Sequence, residues 1–405
     1  MHDSVPSALI PIVEKVAKKL GCDKYETVLI GANAKGEGYL GEITFLEILD
    51  KTTGKSTNIV VKLAFKNEEV RQINPIRHTF LNEIAIYKTI IPAIQQFQNE
   101  NGIPIFEHVP RCLLTSSEEG NEFIVFENIK LQGFELFDKT KILDYQHMEF
   151  IFKTYGKFHA TTFLYNKFHP EKFSKLVQDL GNVHKSFFEQ DIYRNMTDDV
   201  LVESSQKLKP YEDDKAIAAF AKYTKDGTNL LLDSLTYKGK YPVLCHGDCW
   251  SNNMMFKYDN DKNVSDIRLL DWQLARTGCP SQDLSYCLYS GASKDTFDRL
   301  QELLKAYYEV FSEVITQAGE DPQKMYPFEV LQQEWKEYCR FGLITSTIVI
   351  KMKMDKSENK IDLVDISTSE DKDEAIKKFA IGTPCEEYDS RIRELILHVY
   401  EIGGL

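Results

Sequence analysis

The first part of the chain shows one helical repeat of apolar residues followed by several strand-like alternations. In residues 9–20 apolar side chains recur every three to four positions, and the repeat stops at Gly21, which predicts an amphipathic surface helix. Residues 25–31, 39–49 and 56–65 are rich in β-branched and aromatic residues and are separated by short turns. Consecutive strands joined by short turns predict an antiparallel sheet.

Helical spacing returns over residues 74–96, and a further pair of strands is predicted at residues 111–116 and 122–127. The sheet and its helix lie together in the sequence and precede a long region of different character. We therefore predict a first lobe, residues 1–129, that is built on an antiparallel sheet.

Residues 130–405 are predicted to form a second, mainly helical lobe. The long helical repeats lie at residues 145–164, 215–235, 294–317, 327–351 and 388–402. Two short apolar runs, residues 243–244 and 267–270, predict strands within this helical region. Residues 352–377 are charged and poor in aromatic side chains, which predicts a mobile surface loop.

The size and charge of the chain narrow its possible functions. Its 405 residues exceed the roughly 250–300 residues that one hydrophobic core supports, so two lobes with a cleft between them are expected. The net charge of −13 argues against a nucleic acid or an anionic membrane as the main partner, because those surfaces require clustered Lys and Arg. A nucleotide site is still compatible with this charge, since it needs only a local lysine, backbone N–H groups and metal ions.

The sequence predicts neither export nor insertion into a membrane. The start of the chain is amphipathic rather than a signal peptide, and no run of about 18 apolar residues occurs. The eight cysteines are scattered along the chain, so reduced thiols are expected rather than a disulfide framework. A cytoplasmic location is the resulting prediction.

The strongest chemical signal lies between residues 246 and 272. Asp248 and Asn253 stand in a polar loop, and Asp271 follows the apolar run 267–270. In this pattern Asp248 can accept the proton of an attacking hydroxyl, while Asn253 and Asp271 can hold magnesium ions that bridge nucleotide phosphates. Asp and Asn are also common in turns, but the combined H-x-D-x-x-x-x-N and L-L-D-W spacing favours phosphoryl transfer.

Lys62 and Glu83 are the candidates for the pair that positions the phosphates. Lys62 ends a predicted strand, and Glu83 lies 21 residues later on a predicted helix. A lysine there can reach the α and β phosphates, and a glutamate can fix its orientation. Taken alone, Lys62 fits a solvated position on a strand better, and only a pairing with Glu83 favours the functional interpretation.

A glycine-rich turn lies between two of the predicted strands. Gly36, Gly38 and Gly41 form a GxGxxG pattern, in which the absence of a Cβ lets backbone N–H groups approach phosphate oxygens. A plain hairpin turn explains the same residues. A dinucleotide site would require the last glycine to open a helix and an acidic residue about 20 positions later, whereas the sequence continues as a strand and has Lys62 near that position.

Two further features near the acidic loop have mainly structural interpretations. Asp283 is predicted to begin a helix and to cap its backbone N–H groups. Cys245, His246 and Cys249 form an alternative metal site, but a single pair of cysteines without a second ligand pair falls short of a zinc signature. His246 is otherwise predicted to support the loop around Asp248.

Taken together, these segments resemble the kinase-like superfamily that includes the aminoglycoside phosphotransferases and choline kinases, and most closely the ecdysteroid kinase-like (CHK kinase-like) family. The segments that carry the resemblance are GEGYLGE, the VVK strand, FLNEIAIY, FENI, YGKFHATTF, CHGDCWSNN and LLDWQLARTGCPSQDLS. The resemblance implies a bilobal, protein-kinase-like α+β fold with an antiparallel sheet in the N-lobe and a mainly helical C-lobe. It also implies ATP and Mg²⁺ as cofactors and transfer of the γ-phosphoryl group to an alcohol on a small molecule, in the namesake case a steroid.

Carried over position by position, the resemblance assigns Asp248 as the catalytic base, Asn253 and Asp271 as metal ligands, and Lys62 with Glu83 as the phosphate-positioning pair. The nucleotide contacts that it implies elsewhere are the glycine loop (Gly36, Gly38 and Gly41) and a hinge that presents backbone groups to adenine (Glu127, Asn128 and Ile129).

The acceptor is left open by the sequence. Trp272 follows the metal-binding position, and no Ala-Pro-Glu segment follows it, which favours a small molecule over a protein acceptor. The aromatic candidates for an acceptor pocket are Phe134, Tyr145, Tyr165, Tyr286 and Tyr289. An ecdysteroid, another sterol, a phenol and an amino alcohol all stay possible, as does a catalytically silent protein that only binds such a molecule.

Overall fold

The structure is a computed structural model that describes residues 5–33, 40–354, 363–381 and 385–405. The N-terminal part comprises α1 (Ile10–Leu20), β1 (Tyr25–Ala32), β2 (Gly41–Asp50), β3 (Ser56–Ala64), α2 (Glu68–Ile73), α3 (Ile76–Ala85), α4 (Ile91–Glu100), β4 (Cys112–Ser116) and β5 (Phe123–Glu127). The five strands form one antiparallel sheet in the order β1-β2-β3-β5-β4. The antiparallel sheet predicted from the sequence is confirmed.

The two faces of this sheet have different partners. Ile59 and Val61 on β3 are fully buried in a cluster with the apolar side of α1, which ends at Gly21 in the left-handed conformation as predicted. Because side chains alternate along a strand, Lys62 points to the opposite face, towards α3, whose Phe80 is also fully buried. The alternation therefore directs one charged residue of β3 into the interior.

The C-terminal part is mainly helical, so the predicted α+β class is confirmed. Its elements are β6 (Glu135–Leu136), α5 (Tyr145–Phe168), α6 (Pro170–Val177), α7 (Val183–Phe188), α8 (Asp191–Ser205), α9 (Asp214–Ser234), β7 (Val243–Cys245), β8 (Met254–Tyr258), β9 (Val264–Leu269), β10 (Arg276–Gly278), α10 (Pro280–Gly291), α11 (Lys294–Phe297), α12 (Leu300–Gln317), α13 (Pro322–Met325), α14 (Phe328–Met354), α15 (Leu363–Thr368), α16 (Lys372–Ile381) and α17 (Glu386–Glu401). Two small antiparallel sheets, β7 with β10 and β6 with β8 and β9, lie among the helices. The predicted strands before Asp248 and Asp271 are β7 and β9.

Helix α10 is the central element of this part. Every residue of α10 is buried, as expected of a helix enclosed on all sides. It packs mainly against α14 and also contacts α5 and β7. Helix α10, which contains Asp283, thus lies in the interior of the helical region, next to the loop that carries Asp248.

The prediction for residues 352–377 is wrong within the described part of that segment. Residues 352–354 complete α14, and α15 and α16 are helices; residues 355–362 lie outside the described part. Ile366 and Ile376 are buried in a cluster that also includes Phe80 of α3. The charged residues lie on the exposed sides of these short helices. Because the helices have few apolar residues, the sequence showed no helical repeat there.

Other differences from the predicted elements concern helix boundaries. The region predicted as one helix over residues 74–96 contains α3, a π-helical segment Ile86–Ile90 and α4, with Pro92 in the first turn of α4, where its missing N–H is tolerated. Helices α6, α7 and α8 were not predicted. Within the described residues, no helix is long and apolar enough to cross a membrane, and the eight cysteines are free thiols.

Gly342 provides a test of the contact between α10 and α14. A Cβ atom at this position would lie 2.4 Å from the backbone carbonyl carbon of Ser285, so alanine must push the helices apart. We expect Gly342→Ala to lower the free energy of unfolding by about 1–3 kcal/mol, measured by chemical denaturation. The control is Gly31→Ala in β1, where the added atom meets open space and a change within about 0.5 kcal/mol is expected. Equal stabilities of the two variants would contradict this packing.

Candidate active site

A buried lysine joins three separate elements at the centre of the candidate site. Lys62 Nζ on β3 lies 2.7 Å from Glu83 Oε2 on α3 and 2.9 Å from Asp271 Oδ1, which follows β9. The side chain of Glu83 is fully buried, whereas that of Asp271 is 33% exposed. The structure thus brings together three of the residues that the sequence singled out, and the third of them has access to a ligand.

The surroundings of Lys62 favour its charged form. Burial lowers the pKa of an ammonium group, but the negative charges of Asp271 and Glu83 outweigh this effect and raise the pKa of Lys62 above its ordinary value. A charged lysine at this position is suited to neutralise phosphate oxygens.

Asp271 is held in an unusual backbone conformation. Its φ is 60° and its ψ is 66°, in the left-handed region that Asp and Asn adopt more readily than most residues. A short 3₁₀ turn, Trp272–Leu274, follows, and Asn82 Nδ2 on α3 donates to Gln273 O at 3.2 Å. Helix α3 therefore positions Asp271 both through Lys62 and through the loop that follows it.

Asp248 lies in the loop between β7 and β8 with a donor on each carboxylate oxygen. Asn253 Nδ2 donates to Oδ2 at 2.7 Å, and the Tyr286 hydroxyl on α10 donates to Oδ1 at 2.9 Å. Burial, together with the negative charge of Asp271, raises the pKa of Asp248 to about 7, although both hydrogen bonds act in the opposite direction. A carboxylate with this pKa is suited to accept a proton near neutral pH.

Asp283 holds the loop around Asp248 in place, so the helix-capping role predicted for Asp283 is wrong. Asp283 does not cap α10. Its carboxylate accepts from the backbone N–H groups of His246 and Gly247 at 2.6 and 3.0 Å and contacts His159 Nε2 at 3.2 Å. Burial alone would raise the pKa of Asp283, but the hydrogen bond and charge of His159 and the donors of the loop lower it to about 2. Asp283 is thus an ionised anchor for the loop.

His246 takes the supporting role that was predicted for it. Its Nε2 lies 2.8 Å from Leu270 O, and its Nδ1 accepts from Asp248 N at 3.2 Å. The ring is fully buried and packs against Trp272 with a centroid separation of 4.3 Å. His246 therefore connects the two segments that carry Asp248 and Asp271.

Asn253 and Asp271 are the residues that could hold a divalent cation. The amide nitrogen of Asn253 is turned towards Asp248, which leaves the amide oxygen for a metal, and Asn253 O accepts from Leu270 N at 2.8 Å. Oxygen donors of this kind suit Mg²⁺, which usually takes its remaining ligands from phosphates and water. In the part of the chain that the structure describes, no group of three His, Cys, Asp or Glu residues has metal-binding geometry, so the zinc alternative gains no support.

The predicted nucleotide contacts are only partly described. Gly36 and Gly38 lie outside the described residues, and Gly41 is the first residue of β2. A Cβ at Gly41 would lie 2.4 Å from Leu63 O, so close strand packing by itself requires this glycine.

The predicted hinge directly follows β5, an inner strand of the sheet. Glu127 ends β5, and Ile129 begins a short 3₁₀ turn that is capped by the side chain of Asn128. Asn128 N donates to Asn58 O at 3.0 Å. These three residues therefore lie where the sheet joins the helical region, and their role in binding adenine stays a prediction.

Comparison with known proteins agrees with this arrangement. Residues 35–320, more than half of the chain, match the model of the ecdysteroid kinase-like family. The chain belongs to the ecdysteroid kinase-like family. This confirms the resemblance inferred from the two acidic motifs, and it supports a kinase-like protein that acts on a small molecule. No curated protein matches the chain.

Sequence reasoning missed part of what supports the site in this family member. Tyr286 was named only as one of several aromatic residues, and His159 was not singled out. Both lie in or next to segments that carry the family resemblance. The sequence does not show, however, which residues the hydroxyl of Tyr286 and the imidazole of His159 contact. Only the packing of α5 and α10 brings them to Asp283 and Asp248.

Asp283 gives a prediction about stability and its dependence on pH. Because its folded-state pKa is about 2 and its ordinary value is 3.8, the ionised group stabilises the fold above pH 4, and this stabilisation is lost as the pH falls towards 2. We expect Asp283→Asn to lower the free energy of unfolding by about 2–4 kcal/mol at pH 7, and the difference from the wild type should narrow between pH 4 and pH 2.

The matched control is Asp298→Asn, which removes an exposed carboxylate paired with Lys294 and should change stability by less than about 1 kcal/mol. Urea denaturation at several pH values measures both variants. A difference for Asp283→Asn that does not change with pH would contradict an ionised anchor.

Proposed function

We propose that this protein is an ATP-dependent small-molecule kinase that transfers the γ-phosphoryl group to an alcohol hydroxyl. The observation that carries the proposal is the position of Lys62, which is held in contact with Glu83 and Asp271. A charged lysine between a buried glutamate and a partly exposed aspartate is the arrangement with which protein kinases align phosphates. Asp248, with a pKa near neutrality, supplies a proton acceptor on a neighbouring loop.

In the proposed reaction each of these residues has one role. The acceptor oxygen attacks the γ-phosphorus, the bond to the bridging oxygen of ADP breaks, and the hydroxyl proton passes to Asp248. Lys62 orients the phosphates and offsets their charge, and Glu83 keeps the lysine in place. Mg²⁺ bound by Asn253 and Asp271 would offset the charge that develops on the phosphate oxygens. Positioning and electrostatics supply most of the rate in such a mechanism.

We further propose that the two parts of the chain have different roles. Residues 1–129 form the nucleotide-binding lobe, with Gly36, Gly38 and Gly41 near the phosphates and residues 127–129 at the adenine. Residues 130–405 form the catalytic and substrate-binding lobe. The scattered free thiols favour a reducing compartment, so we assign the protein to the cytoplasm.

The acceptor is proposed to be an ecdysteroid or another sterol or xenobiotic alcohol. The family name points to steroids. A protein acceptor is not favoured, because the sequence after Asp271 lacks the Ala-Pro-Glu segment of protein kinases.

The test is Mg²⁺-dependent transfer of labelled γ-phosphate from ATP to a panel of steroid, phenolic and amino alcohols. We expect a phosphorylated product with the wild type and a loss of at least about 100-fold with Asp248→Asn, since general-base catalysis typically contributes 10²–10⁴-fold. Product formation that is unaffected by Asp248→Asn would contradict the assigned base. Binding of a panel alcohol without any transfer, although MgATP binds, would favour the alternative of a silent binding protein.

Tyr286→Phe gives a second prediction for the same reaction. Loss of the hydroxyl removes one donor from Asp248, so kcat should fall about tenfold and the pKa of Asp248 should rise. The acid limb of the profile of kcat/KM against pH therefore moves to higher pH. Tyr223→Phe, which alters a buried tyrosine that stacks on Phe220, should keep the wild-type profile. A Tyr286→Phe profile identical to that of the wild type would show that the hydroxyl does not act on Asp248.

A further inference from the structure

A second group of buried positive charges lies beside the candidate site and has no part in the mechanism. Lys353, near the end of α14, and Arg391, on α17, are both buried and approach the same carbonyl oxygen. Ser290 O accepts from Arg391 Nη2 at 2.8 Å and from Lys353 Nζ at 3.3 Å. Lys353 Nζ also donates to Ser251 Oγ at 3.0 Å. Two cations therefore meet at neutral oxygens.

In the described part of the chain, no carboxylate lies within ion-pair distance of either cation. Neither Lys353 nor Arg391 forms an ion pair there, whereas the equally buried Lys351 on α14 lies 3.6 Å from a carboxylate oxygen of Glu203. Arg391 Nε is buried without a hydrogen-bond partner. Burial and the charge of Arg391 lower the pKa of Lys353 to about 7. Burial also lowers the pKa of Arg391 to about 10, although the charges of Glu387 and Glu394 act in the opposite direction. Unpaired buried charges are costly, so a function is expected for them.

A purely structural explanation accounts for only part of this arrangement. Ser290 stands at the C-terminal end of α10, where the helix dipole amounts to about half a negative charge and attracts one cation. Two cations exceed that charge, and within the described residues the Nε–H of Arg391 has no hydrogen-bond acceptor. A single lysine or arginine would cap the helix equally well.

The pair lies on the side of the site where the acceptor must bind. Tyr286 and Ser290 are one turn apart on α10, and the Tyr286 hydroxyl contacts Asp248. Ser251, which Lys353 contacts, follows Asp248 by three residues in the same loop. A group bound between the two cations would therefore belong to a molecule whose hydroxyl reaches Asp248.

We propose that Lys353 and Arg391 form a subsite for an anionic oxygen group, a carboxylate or sulfate, on the acceptor alcohol. The proposal rests on the function proposed above and refines its substrate class to acidic hydroxy compounds. Guanidinium and ammonium donors bind such groups through charge-assisted hydrogen bonds, and the anion would supply the charge that the pair lacks.

The experiment compares a hydroxysteroid that carries a carboxylate with its methyl ester, which differs from it only in charge. With the full-length wild type and saturating MgATP, kcat/KM should be at least about tenfold higher for the acid, the usual size of a charge-assisted contact. Lys353→Met and Arg391→Met should lower the acid-to-ester ratio at least about tenfold. The matched controls are Lys351→Met on α14 and Arg393→Met on α17, whose side chains pair with Glu203 and Asp213, and both should keep the wild-type ratio.

Thermal unfolding separates this role from helix capping and from the proposed function itself. Replacing an unpaired buried charge by methionine should leave the melting temperature unchanged or raise it, whereas loss of a structural cap should lower it. The steroid acid should raise the melting temperature of the wild type but not of Arg391→Met, even if no phosphate is transferred; that result would preserve the subsite while the kinase proposal fails.

Two results would overturn the subsite. One is equal use and equal binding of the steroid acid and its methyl ester by the wild type. The other is a lower melting temperature of both methionine variants with an unchanged acid-to-ester ratio, which would identify the pair as a cap of α10.

Discussion

The buried ammonium of Lys62 sets the geometry of the whole site. A charge taken out of water is tolerated only when it is paired and hydrogen-bonded, and Lys62 finds its partners on two elements that are distant in sequence, Glu83 21 residues later and Asp271 209 residues later. The charge of Lys62 is therefore compensated only when β3, helix α3 and the loop after β9 come together. Asn82 reinforces this by binding the loop that follows Asp271. The pairing that stabilises the lysine also aims it at the place where phosphates would lie.

The carboxylates of the site differ because their surroundings differ. Asp283 is enclosed by donors and has its pKa lowered to about 2, whereas Asp248 has its pKa raised to about 7 by burial and by the charge of Asp271. The first is therefore a permanent anion that anchors the loop, and the second can exchange a proton. Lys353 and Arg391 are the opposite case, because they bring positive charge to the end of α10 beside the same loop, and no carboxylate forms an ion pair with them in the described part of the chain. A ligand that carries the missing charge would complete the arrangement.

The residues that could be predicted from the sequence are those with a local pattern. A pattern within a few tens of residues identifies Lys62 at the end of an alternating strand and Glu83 on a helical repeat. A fixed spacing likewise identifies Asp248, Asn253 and Asp271. The structure brings Lys62, Glu83 and Asp271 into contact. The role of Asp283 could not be predicted, because its partner His159 is 124 residues away and a carboxylate at the start of a helix resembles an ordinary cap. The burial of Lys353 and Arg391 is likewise a property of helix packing. The helices within residues 352–377 were missed because only a few apolar contacts, such as those of Ile366, hold them.

The most direct test of the account is a crystal structure of the full-length protein with a non-hydrolysable ATP analogue and Mn²⁺, whose anomalous signal locates the metal without reference to the phosphates. We predict manganese bound to the side-chain oxygens of Asn253 and Asp271 at about 2.1 Å, close to the distances of Mg²⁺. We also expect Lys62 Nζ in contact with the phosphates and Asp248 facing an open acceptor space. A nucleotide bound elsewhere, or phosphates that Lys62 and Asp271 do not reach, would contradict the proposed site.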